Sequence, residues 1–424
     1  MIRRIEAKNY RSLKYMDQRL DNFHVLVGPN ASGKTTFMDV VSFLADIVKL
    51  GVDSAIQLRT SNYLDLTFSS FGGDIELAIE VELPEQIRKQ YQEVPFSTVR
   101  YEIRIGLTDE NKEHAIKEER AVILNTPFLI TEIVESQQRL VFPNYEFAPN
   151  TILNKKYASK SYKPILRKKP GGNDNFYPET YRESGKGFMP SFKLGVKRSA
   201  LGNLPADETK FPAATWLKDF LVEGVQLFIL DSQNIKQASP PGQSKKFKTD
   251  GSNLPWVIND LKKNEKQFRK WIAHIQTALP DIKDIETIER EDDKHRYLRI
   301  LYNNDMRIPS WLVSDGTLRL LALTLPAYLP SFSGVYLIEE PENGIHPKAV
   351  ETVFQSLSSV YNAQIMLASH SPVVLSLVKP GEVLCFAKTL EGITDIVNGS
   401  EHPALKNWKG ETNLSVLYAR GILG

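Results

Sequence analysis

One eight-residue segment constrains the fold of this chain more than any other. Residues 28–35, GPNASGKT, fit the pattern GxxxxGK[ST] at every required position. The apolar run Phe23–Val27 precedes the segment, and residues 35–50 carry apolar side chains at helical spacing. Glycines let the backbone wrap an anion with its N–H groups inward, and the start of a helix adds partial positive charge. The pattern therefore predicts a strand, a phosphate-binding loop and a helix in succession.

The loop residues have defined chemistry in that setting. Lys34 is expected to reach the β- and γ-phosphates of a nucleoside triphosphate, and the Thr35 hydroxyl is expected to coordinate Mg²⁺. The alternative is a glycine-rich turn with an exposed lysine, for which the flanking strand and helix would not be needed. We therefore predict ATP and Mg²⁺ as cofactors, bound by Gly28, Pro29, Asn30, Ala31, Ser32, Gly33, Lys34, Thr35 and Thr36.

A second group of polar residues follows an apolar strand nearer the C-terminus. Residues 334–338, GVYLI, lead into Glu339, Glu340 and Pro341. Open α/β sheets bind ligands at the carboxyl ends of their strands, and adjacent strand residues point to opposite sides. The two carboxylates should therefore differ in function, one orienting Mg²⁺ through water and the next polarising the attacking water. The alternative is a solvated strand end without a catalytic role.

Two shorter motifs fit the same kind of site. The motif Ser314–Gly316 precedes a predicted helix over residues 317–328, so its hydroxyl and the first helical N–H groups suit an anion. Taken alone, an ordinary N-cap is the simpler interpretation of that motif. His370 follows the apolar run 364–368, QIMLA, which makes it a candidate to contact the γ-phosphate or the attacking water. A lone histidine is, however, more often structural.

The rest of the pattern divides the chain into three parts. Residues 74–83 and 99–105 alternate apolar and polar side chains, which predicts an antiparallel sheet. From residue 296 onward, short apolar runs alternate with helical segments, which predicts a mostly parallel α/β sheet. The predicted parts are 1–145 with the phosphate-binding loop and the antiparallel subdomain, 146–290 as a large central insertion, and 291–424 with the strand–helix alternation.

The central part contains a basic stretch. Residues 151–200 hold twelve Lys or Arg against three Asp or Glu, with aromatic residues between them. Such a stretch suits phosphate contact and base stacking, as in a nucleic-acid-binding segment. A solvated flexible insertion or a partner-docking arm explains the composition at least as well. The candidate nucleic-acid or partner patch consists of Lys155, Lys156, Arg167, Lys168 and Lys169.

Composition excludes several other classes of protein. The net charge is +2 over 424 residues, so the chain as a whole is not a polycation. A single cysteine, Cys385, excludes an internal disulfide framework and fits a reducing compartment. No run of about 18 apolar residues occurs, and the N-terminus lacks a signal-peptide core. We therefore expect a soluble cytoplasmic protein without a membrane span.

The order of these motifs resembles the ABC-type ATPase head shared by SMC, RecF and overcoming-lysogenization-defect (OLD) proteins, in a prokaryotic group of AAA ATPases. The resemblance rests on IEAKNYRSLKYMDQRL with VLVGPNASGKTTFMDVV near the N-terminus, and on LVSDGTLRLLAL, EEPENGIHP and ASHSP later in the chain. These segments cover about the first 50 and the last 120 residues. The resemblance implies a P-loop NTPase fold with an antiparallel β subdomain and a large central insertion.

The resemblance also implies a role for each matching residue. Glu339 would hold the metal together with Thr35, Glu340 would be the general base and His370 the switch residue, and Lys34 would be the third catalytic residue. Arg11 and Ser12 would approach the nucleotide from the N-terminal strand. In the family, two protomers close around ATP as a homodimer or higher homo-oligomer, each completing the other's site. The corresponding residues are the trans signature Ser314, Asp315 and Gly316, and the D-loop residues Asn343, Gly344 and His346.

The chain departs from the family pattern at three points. Residue 339 is Glu where Asp is common, and Gln226, Gln233 and Gln237 all remain candidates for the Q-loop glutamine. OLD nucleases carry a Toprim domain after the ATPase, whereas the 54 residues after His370 are too few for one, so we expect no nuclease activity here.

Three functions follow from the resemblance. The leading hypothesis is an ATPase whose dimerisation controls a separate effector protein, as in phage-defence or toxin–antitoxin systems. The second is a RecF-like DNA-binding repair or maintenance ATPase, motivated by the basic stretch. A membrane-transporter ATPase subunit is the least favoured of the three.

Overall fold

The computed structural model describes residues 1–91, 95–125, 141–143, 148–155, 157, 161–180, 189–406, 414–419 and 421. The strands are β1 (Ile2–Tyr10), β2 (Leu13–Arg19), β3 (Phe23–Val27), β4 (Ile75–Glu82), β5 (Thr98–Leu107), β6 (His114–Leu124), β7 (Tyr162–Lys168), β8 (Asp174–Phe176), β9 (Ser191–Phe192), β10 (Val225–Phe228), β11 (Ile282–Glu289), β12 (Arg296–Tyr302), β13 (Arg307–Pro309), β14 (Gly334–Glu339), β15 (Ala363–Ala368), β16 (Val383–Lys388) and β17 (Thr394–Asn398).

The helices lie between and outside the sheets that these strands form. They are α1 (Lys34–Leu50), α2 (Val52–Gln57), α3 (Glu85–Arg88), α4 (Pro212–Asp219), α5 (Ser232–Lys236), α6 (Leu254–Leu261), α7 (Glu265–Ala278), α8 (Asp315–Thr324), α9 (Pro347–Ser358), α10 (Pro372–Leu377), α11 (Pro403–Lys406) and α12 (Leu414–Ala419). No helix in the described part of the chain has both the length and the apolarity needed to cross a bilayer.

A six-stranded sheet forms the centre of the molecule, in the order β10–β14–β15–β3–β16–β17. Its neighbouring strands are parallel except for the last pair, β16 and β17. This confirms the mostly parallel α/β sheet expected from the sequence. Because parallel strands end at the same edge of a sheet, the segments that follow β3, β14, β15 and β16 converge there.

Helix α1 packs between this sheet and a larger antiparallel one. The helix buries its apolar stripe, which includes Phe37, Val41 and Leu44, in the same core as Val335 and Leu337 of β14. The alternate residues of β14, such as Tyr336, face a second core formed with α6–α10. In the described part of the chain, the six-stranded sheet therefore has a large apolar core on each of its faces.

The antiparallel sheet has eight strands in the order β2–β1–β4–β5–β6–β7–β8–β9. The predicted strands at residues 74–83 and 99–105 are β4 and β5, and they pair antiparallel as expected. Strand β12 departs from expectation, because it belongs to a separate antiparallel sheet, β11–β12–β13, and not to the parallel one. A short apolar run alone does not specify the strand with which it pairs.

The middle third of the chain does not form a single separate insertion among its described residues. Strands β7–β9 extend the eight-stranded sheet, since β7 pairs with β6. Strand β10 instead pairs parallel with β14 and becomes an edge of the central sheet. The segment expected as an insertion over 146–290 thus contributes to all three sheets.

A buried ion-pair network covers the outer face of the eight-stranded sheet. Arg100 on β5 is fully buried, and it donates to Glu102 and Glu80 at 3.0 Å each and also to Glu6. Burial by itself raises the pKa of Glu6, but the surrounding cations, Arg100 foremost, lower it to about 2. The segment around Ile152 closes over the network and accepts a hydrogen bond from Arg100 at 3.0 Å.

Ion pairs within the fold contradict the basic patch that was expected from the sequence. Lys155 pairs with Glu6 at 2.6 Å, and Lys168 is buried with its ammonium 2.7 Å from Asp174. Arg167 is partly buried on β7, Lys169 is exposed, and Lys156 lies outside the described residues. The four described cations therefore do not form one open surface, because carboxylates of the fold neutralise two of them.

We expect Arg100→Met to lower the free energy of unfolding by about 3–5 kcal/mol, since it leaves three buried carboxylates without their main partner. Urea denaturation followed by circular dichroism at neutral pH measures the loss. Because the pKa of Glu6 is depressed, wild-type stability should also fall as the pH drops from 4.5 towards 2.

The control for this prediction is Arg104→Met on the same strand. Arg104 pairs with Glu76 at 3.1 Å, but its side chain is 28% exposed, so its loss should cost about 1 kcal/mol or less. Equal destabilisation by the two substitutions would contradict the view that the buried network stabilises this face.

Candidate functional site

A cavity of about 700 Å³ lies where β3, β14, β15 and β16 end. Among the residues expected from the sequence, it is lined by Arg11, Ser12, Asn30, Ala31, Ser32, Gly33, Lys34, Thr35, Thr36, Glu339, Glu340 and His370. Its lining also includes Ala368, the first residue of the ASHSP motif, and residues that no motif indicated, namely Asp65, Thr67, Ser69, Ser70 and Lys388. The structure thus joins segments more than 300 residues apart into one polar site.

Close packing explains the glycines at the two ends of the loop. Gly28 has φ 150°, and a Cβ on it would lie 2.3 Å from the carbonyl oxygen of Phe386. Gly33, with φ 104°, precedes α1, and a Cβ there would lie 2.4 Å from Oγ1 of Thr394. Any larger residue would push the loop away from β16 and β17. The loop can therefore turn its N–H groups towards the cavity only with glycine at both positions.

Lys34 is buried at the start of α1 and is held by the loop itself. Its ammonium donates to the carbonyl oxygens of Gly28 at 2.8 Å and Pro29 at 2.9 Å. Burial lowers the pKa of Lys34 to about 8, although the carboxylates of Glu340 and Glu339 act in the opposite direction. A bound triphosphate would add negative charge and raise this pKa again.

Arg11 lies in the turn between β1 and β2 and is anchored to α1. One of its terminal nitrogens lies 3.1 Å from Asp39, which also accepts a hydrogen bond from Tyr10 at 2.6 Å. Arg59 contacts the same carboxylate at 2.7 Å. Asp39 therefore positions the cation at the cavity, a role that the sequence analysis did not assign although Asp39 lies in the segment VLVGPNASGKTTFMDVV.

Ser12 is joined to the phosphate-binding loop through Thr394. Oγ1 of Thr394 lies 2.9 Å from both Oγ of Ser12 and the carbonyl oxygen of Ser32. The backbone N–H of Thr394 also donates to the carbonyl oxygen of Ser12 at 3.0 Å. Thr394 is buried, and it couples the first β-turn, the loop and β17. No local pattern around Thr394 predicted this contact.

The two adjacent carboxylates reach the same cavity instead of opposite sides of the sheet. Glu339 is the last residue of β14, but Glu340 has φ 44° and has left the extended conformation. Its N–H donates to the carbonyl oxygen of Ala368 at 2.8 Å, and its carboxylate accepts from Asn343. The break in strand geometry explains why the alternation expected from the sequence ends at this residue.

His370 is held by a carboxylate that the sequence analysis did not select. Glu342 accepts from the backbone N–H of His370 at 3.0 Å and from the Ser369 hydroxyl at 2.7 Å. Burial and the nearby Lys34 lower the pKa of His370, so the neutral imidazole is favoured. His370 therefore faces the cavity in the form that can donate or accept a hydrogen bond.

The residues present suit Mg²⁺ held jointly with a nucleotide. No group of three His, Cys, Asp or Glu side chains forms a metal cage in the described ranges. Thr35 and Glu339 both line the cavity and offer hard oxygen ligands. Mg²⁺ commonly binds through one or two such protein ligands, together with waters and substrate phosphates.

The motif at Ser314 does not reach this cavity within one chain. Oγ of Ser314 accepts from the N–H of Thr317 at 3.3 Å, so the residue is an N-cap, and it is exposed. A Cβ on Gly316 would lie 2.5 Å from the carbonyl oxygen of Gly344. Asp315 is exposed and pairs with Lys236. The structure therefore places this motif beside the loop that follows the two carboxylates, and outside the cavity.

The other candidate residues lie at the edge of the site or away from it. His346 caps α9, accepting from the N–H of Lys348 at 3.3 Å, and is exposed. Gln226 lies on β10, while Gln233 is in the first turn of α5 and Gln237 follows that helix. None of the three glutamines lines the cavity as the described residues define it.

Affinity for ATP should fall as the pH rises above about 8, by up to tenfold per pH unit. The reason is that free Lys34 loses its proton in this range, whereas the nucleotide-bound form keeps it. Binding of a fluorescent ATP analogue between about pH 7 and pH 9.5 measures the slope.

The control variant is Lys34→Arg, because a guanidinium remains charged throughout this range. A weaker affinity of this variant for ATP at every pH is compatible with the prediction, but its affinity should not fall as the pH rises above about 8. Identical slopes for wild type and variant would show that another group controls binding.

The profile of one protein family matches residues 23–376, and the family is described as "AAA domain, putative AbiEii toxin, Type IV TA system". No curated protein matches the chain significantly. Among the solved structures that are similar to this chain, two cover 93% of it. An Smc head bound to the C-winged helix domain of ScpA has 14% identity, 96% coverage of its own chain and a TM-score of 0.52.

The second structure is an Smc head with an extended coiled coil, bound to the C-terminal domain of ScpA, from Pyrococcus furiosus. It has 12% identity, 95% coverage of its own chain and a TM-score of 0.50. At such identities the likeness concerns the fold. Because the family profile covers most of the chain and the cavity contains its phosphate-binding loop, the chain belongs to this AAA-domain ATPase family, and its fold is similar to that of Smc heads.

Proposed function

We propose that this protein hydrolyses ATP with Mg²⁺ in the cavity and that two copies close around the nucleotides. One observation supports the proposal. The exposed motif at Ser314 lies outside its own chain's cavity, whereas residues of the phosphate-binding loop, the two carboxylates after β14 and His370 all line it. A second copy can supply the missing motif, and ATP that contacts both copies would stabilise their association.

Within one chain, each residue of the cavity has a separate role in ATP hydrolysis. Lys34 exchanges its two carbonyl partners for the β- and γ-phosphates, because charged oxygens are stronger acceptors than carbonyls. Thr35 and Glu339 would hold Mg²⁺, which supplies charge neutralisation on the phosphates. Glu340 accepts the proton of the attacking water, and Asn343 orients its carboxylate. His370 contacts the γ-phosphate or that water from the end of β15.

The surface beside Ser314 also suits association with a second copy. Trp311 and Leu312, separated from the motif by the buried Val313, are 45% and 72% exposed. Exposed aromatic and aliphatic side chains next to a polar motif are common at protein interfaces. The contact between Gly316 and Gly344 links this surface to the loop after Glu340. Closure of the dimer can therefore change the position of the Glu340 carboxylate through this loop.

We further propose that dimer closure controls a separate effector protein, with phage defence as the setting. The family description names a toxin of a type IV toxin–antitoxin system, and the two similar Smc heads are bound to a domain of ScpA. The DNA-binding alternative has less support, because Lys155 and Lys168 are engaged in ion pairs. A protein partner is therefore the better-supported proposal.

Glu340→Gln should keep ATP binding while lowering turnover by about 10²–10³-fold, because an amide cannot accept the proton of the attacking water. ATP-bound dimers should accumulate as a result. Phosphate release and light scattering after size-exclusion chromatography, with and without ATP, measure both effects.

Two control variants accompany this experiment. Lys34→Ala by itself should neither bind ATP nor form ATP-dependent homodimers, and Glu351→Gln on the exposed side of α9 should behave as wild type. Hydrolysis by Glu340→Gln at the wild-type rate would show that the general base is a different group.

Mixing two inactive variants tests whether the site is shared between copies. Ser314→Arg and Lys34→Ala should each abolish hydrolysis, but their heterodimer contains one site with both an intact loop and an intact motif. An equal mixture should therefore recover roughly a quarter of wild-type activity. If Ser314→Arg alone hydrolyses ATP normally, or the mixture stays inactive, the shared site is wrong.

A further inference from the structure

The C-terminal helix α12 brings a tyrosine hydroxyl to the catalytic histidine. The hydroxyl oxygen of Tyr418 lies 2.6 Å from Nδ1 of His370 and 3.4 Å from the carbonyl oxygen of Gly28. The two rings are 6.3 Å apart and inclined at 50°, so the contact is a hydrogen bond and not a stacking interaction. Tyr418 therefore touches the switch histidine and the phosphate-binding loop together.

Packing against α10 keeps the helix in this position. Leu414 and Leu417 of α12 are 1% and 2% exposed, and they belong to the same apolar core as Val374 and Leu375 of α10. Helix α10 begins just after His370, so both members of the hydrogen bond are attached to one rigid pair of helices. The contact is consequently built into the fold.

The hydroxyl of Tyr418 makes one short and one long contact. O–H···O hydrogen bonds rarely exceed about 3.0 Å, so the 3.4 Å approach to the carbonyl of Gly28 is the weaker of the two. The direction of the 2.6 Å hydrogen bond with Nδ1 depends on the tautomer of His370. When Nδ1 accepts the tyrosine proton, the neutral imidazole carries its own proton on Nε2 and can donate it from there.

We propose that Tyr418 is a positioning residue for ATP hydrolysis, which fixes the His370 ring and its Nε2–H tautomer for donation to the γ-phosphate. Two contacts act on the histidine together, since Glu342 holds its backbone and Tyr418 holds its ring. The inference rests on the proposed function of the cavity. It adds that the C-terminal helix contributes to the nucleotide site.

Tyr418→Phe tests the proposal because it removes only the hydroxyl. We expect kcat to fall about tenfold with an unchanged KM, as for one lost hydrogen bond that acts in the transition state. The matched control is Tyr328→Phe, which deletes another tyrosine–histidine hydrogen bond, 2.9 Å from Nδ1 of His274, outside the cavity. A purely structural role would make the two substitutions equivalent in kcat.

The double variant separates positioning from other effects. In a His370→Ala background, adding Tyr418→Phe should change kcat no further, because the tyrosine acts through the histidine. A second tenfold loss in that background would overturn the proposal. An unchanged kcat for Tyr418→Phe in the wild-type background would overturn it as well.

A readout without turnover distinguishes this inference from the proposed function. Side-chain ¹⁵N spectra of the histidines should show the Nε2–H tautomer of His370 in wild type and a mixture of tautomers in Tyr418→Phe. A tautomer unaffected by the substitution overturns the role of Tyr418, whether or not ATP is hydrolysed. Absence of hydrolysis by wild type would instead overturn the proposed function, and with it the catalytic meaning of the contact.

Discussion

The parallel alignment of β14, β15 and β3 is the constraint on which the rest of the site depends. Their backbone register sets Glu339 opposite Ala368, and Ala368 opposite Leu26. Beyond these pairs, the N–H of Glu340 donates to Ala368 and the N–H of Ser369 donates to Leu26. The segments that follow β3, β14 and β15 therefore leave the sheet at the same height along the strands, although their side chains differ in chemistry. A shift of one residue would turn every side chain on the shifted strand to the other face.

The second constraint is close packing of backbone around the phosphate-binding loop. β16 approaches Gly28 and β17 approaches Gly33, so the loop can follow only one path between the sheet and α1. Thr394 and Asp39 then connect that path to the turn that carries Arg11 and Ser12. Small rearrangements of the loop on nucleotide binding would be transmitted to these partners, because tightly packed contacts resist compression.

Charge is used in two different ways in this molecule. On the outer face of the eight-stranded sheet, Arg100 is surrounded by carboxylates and fully buried, so its role is structural. In the cavity, Lys34 has only carbonyl partners and two carboxylates at a greater distance. That arrangement leaves Lys34 able to exchange partners when a stronger acceptor enters. The difference between the two cations lies in their neighbours and not in their residue type.

The sequence by itself determined the phosphate-binding loop, the carboxylates after β14 and the histidine after β15, because each depends on a local strand-to-loop pattern. Only the tertiary structure decided which side chains support them: the sequence assigned no role to Asp39, Thr394, Glu342 and Tyr418, which act through contacts across the fold. The same reason explains the misplaced basic patch. A count of charges along the chain does not show that Glu6 and Asp174 neutralise Lys155 and Lys168, since ion pairs form between residues that folding brings together.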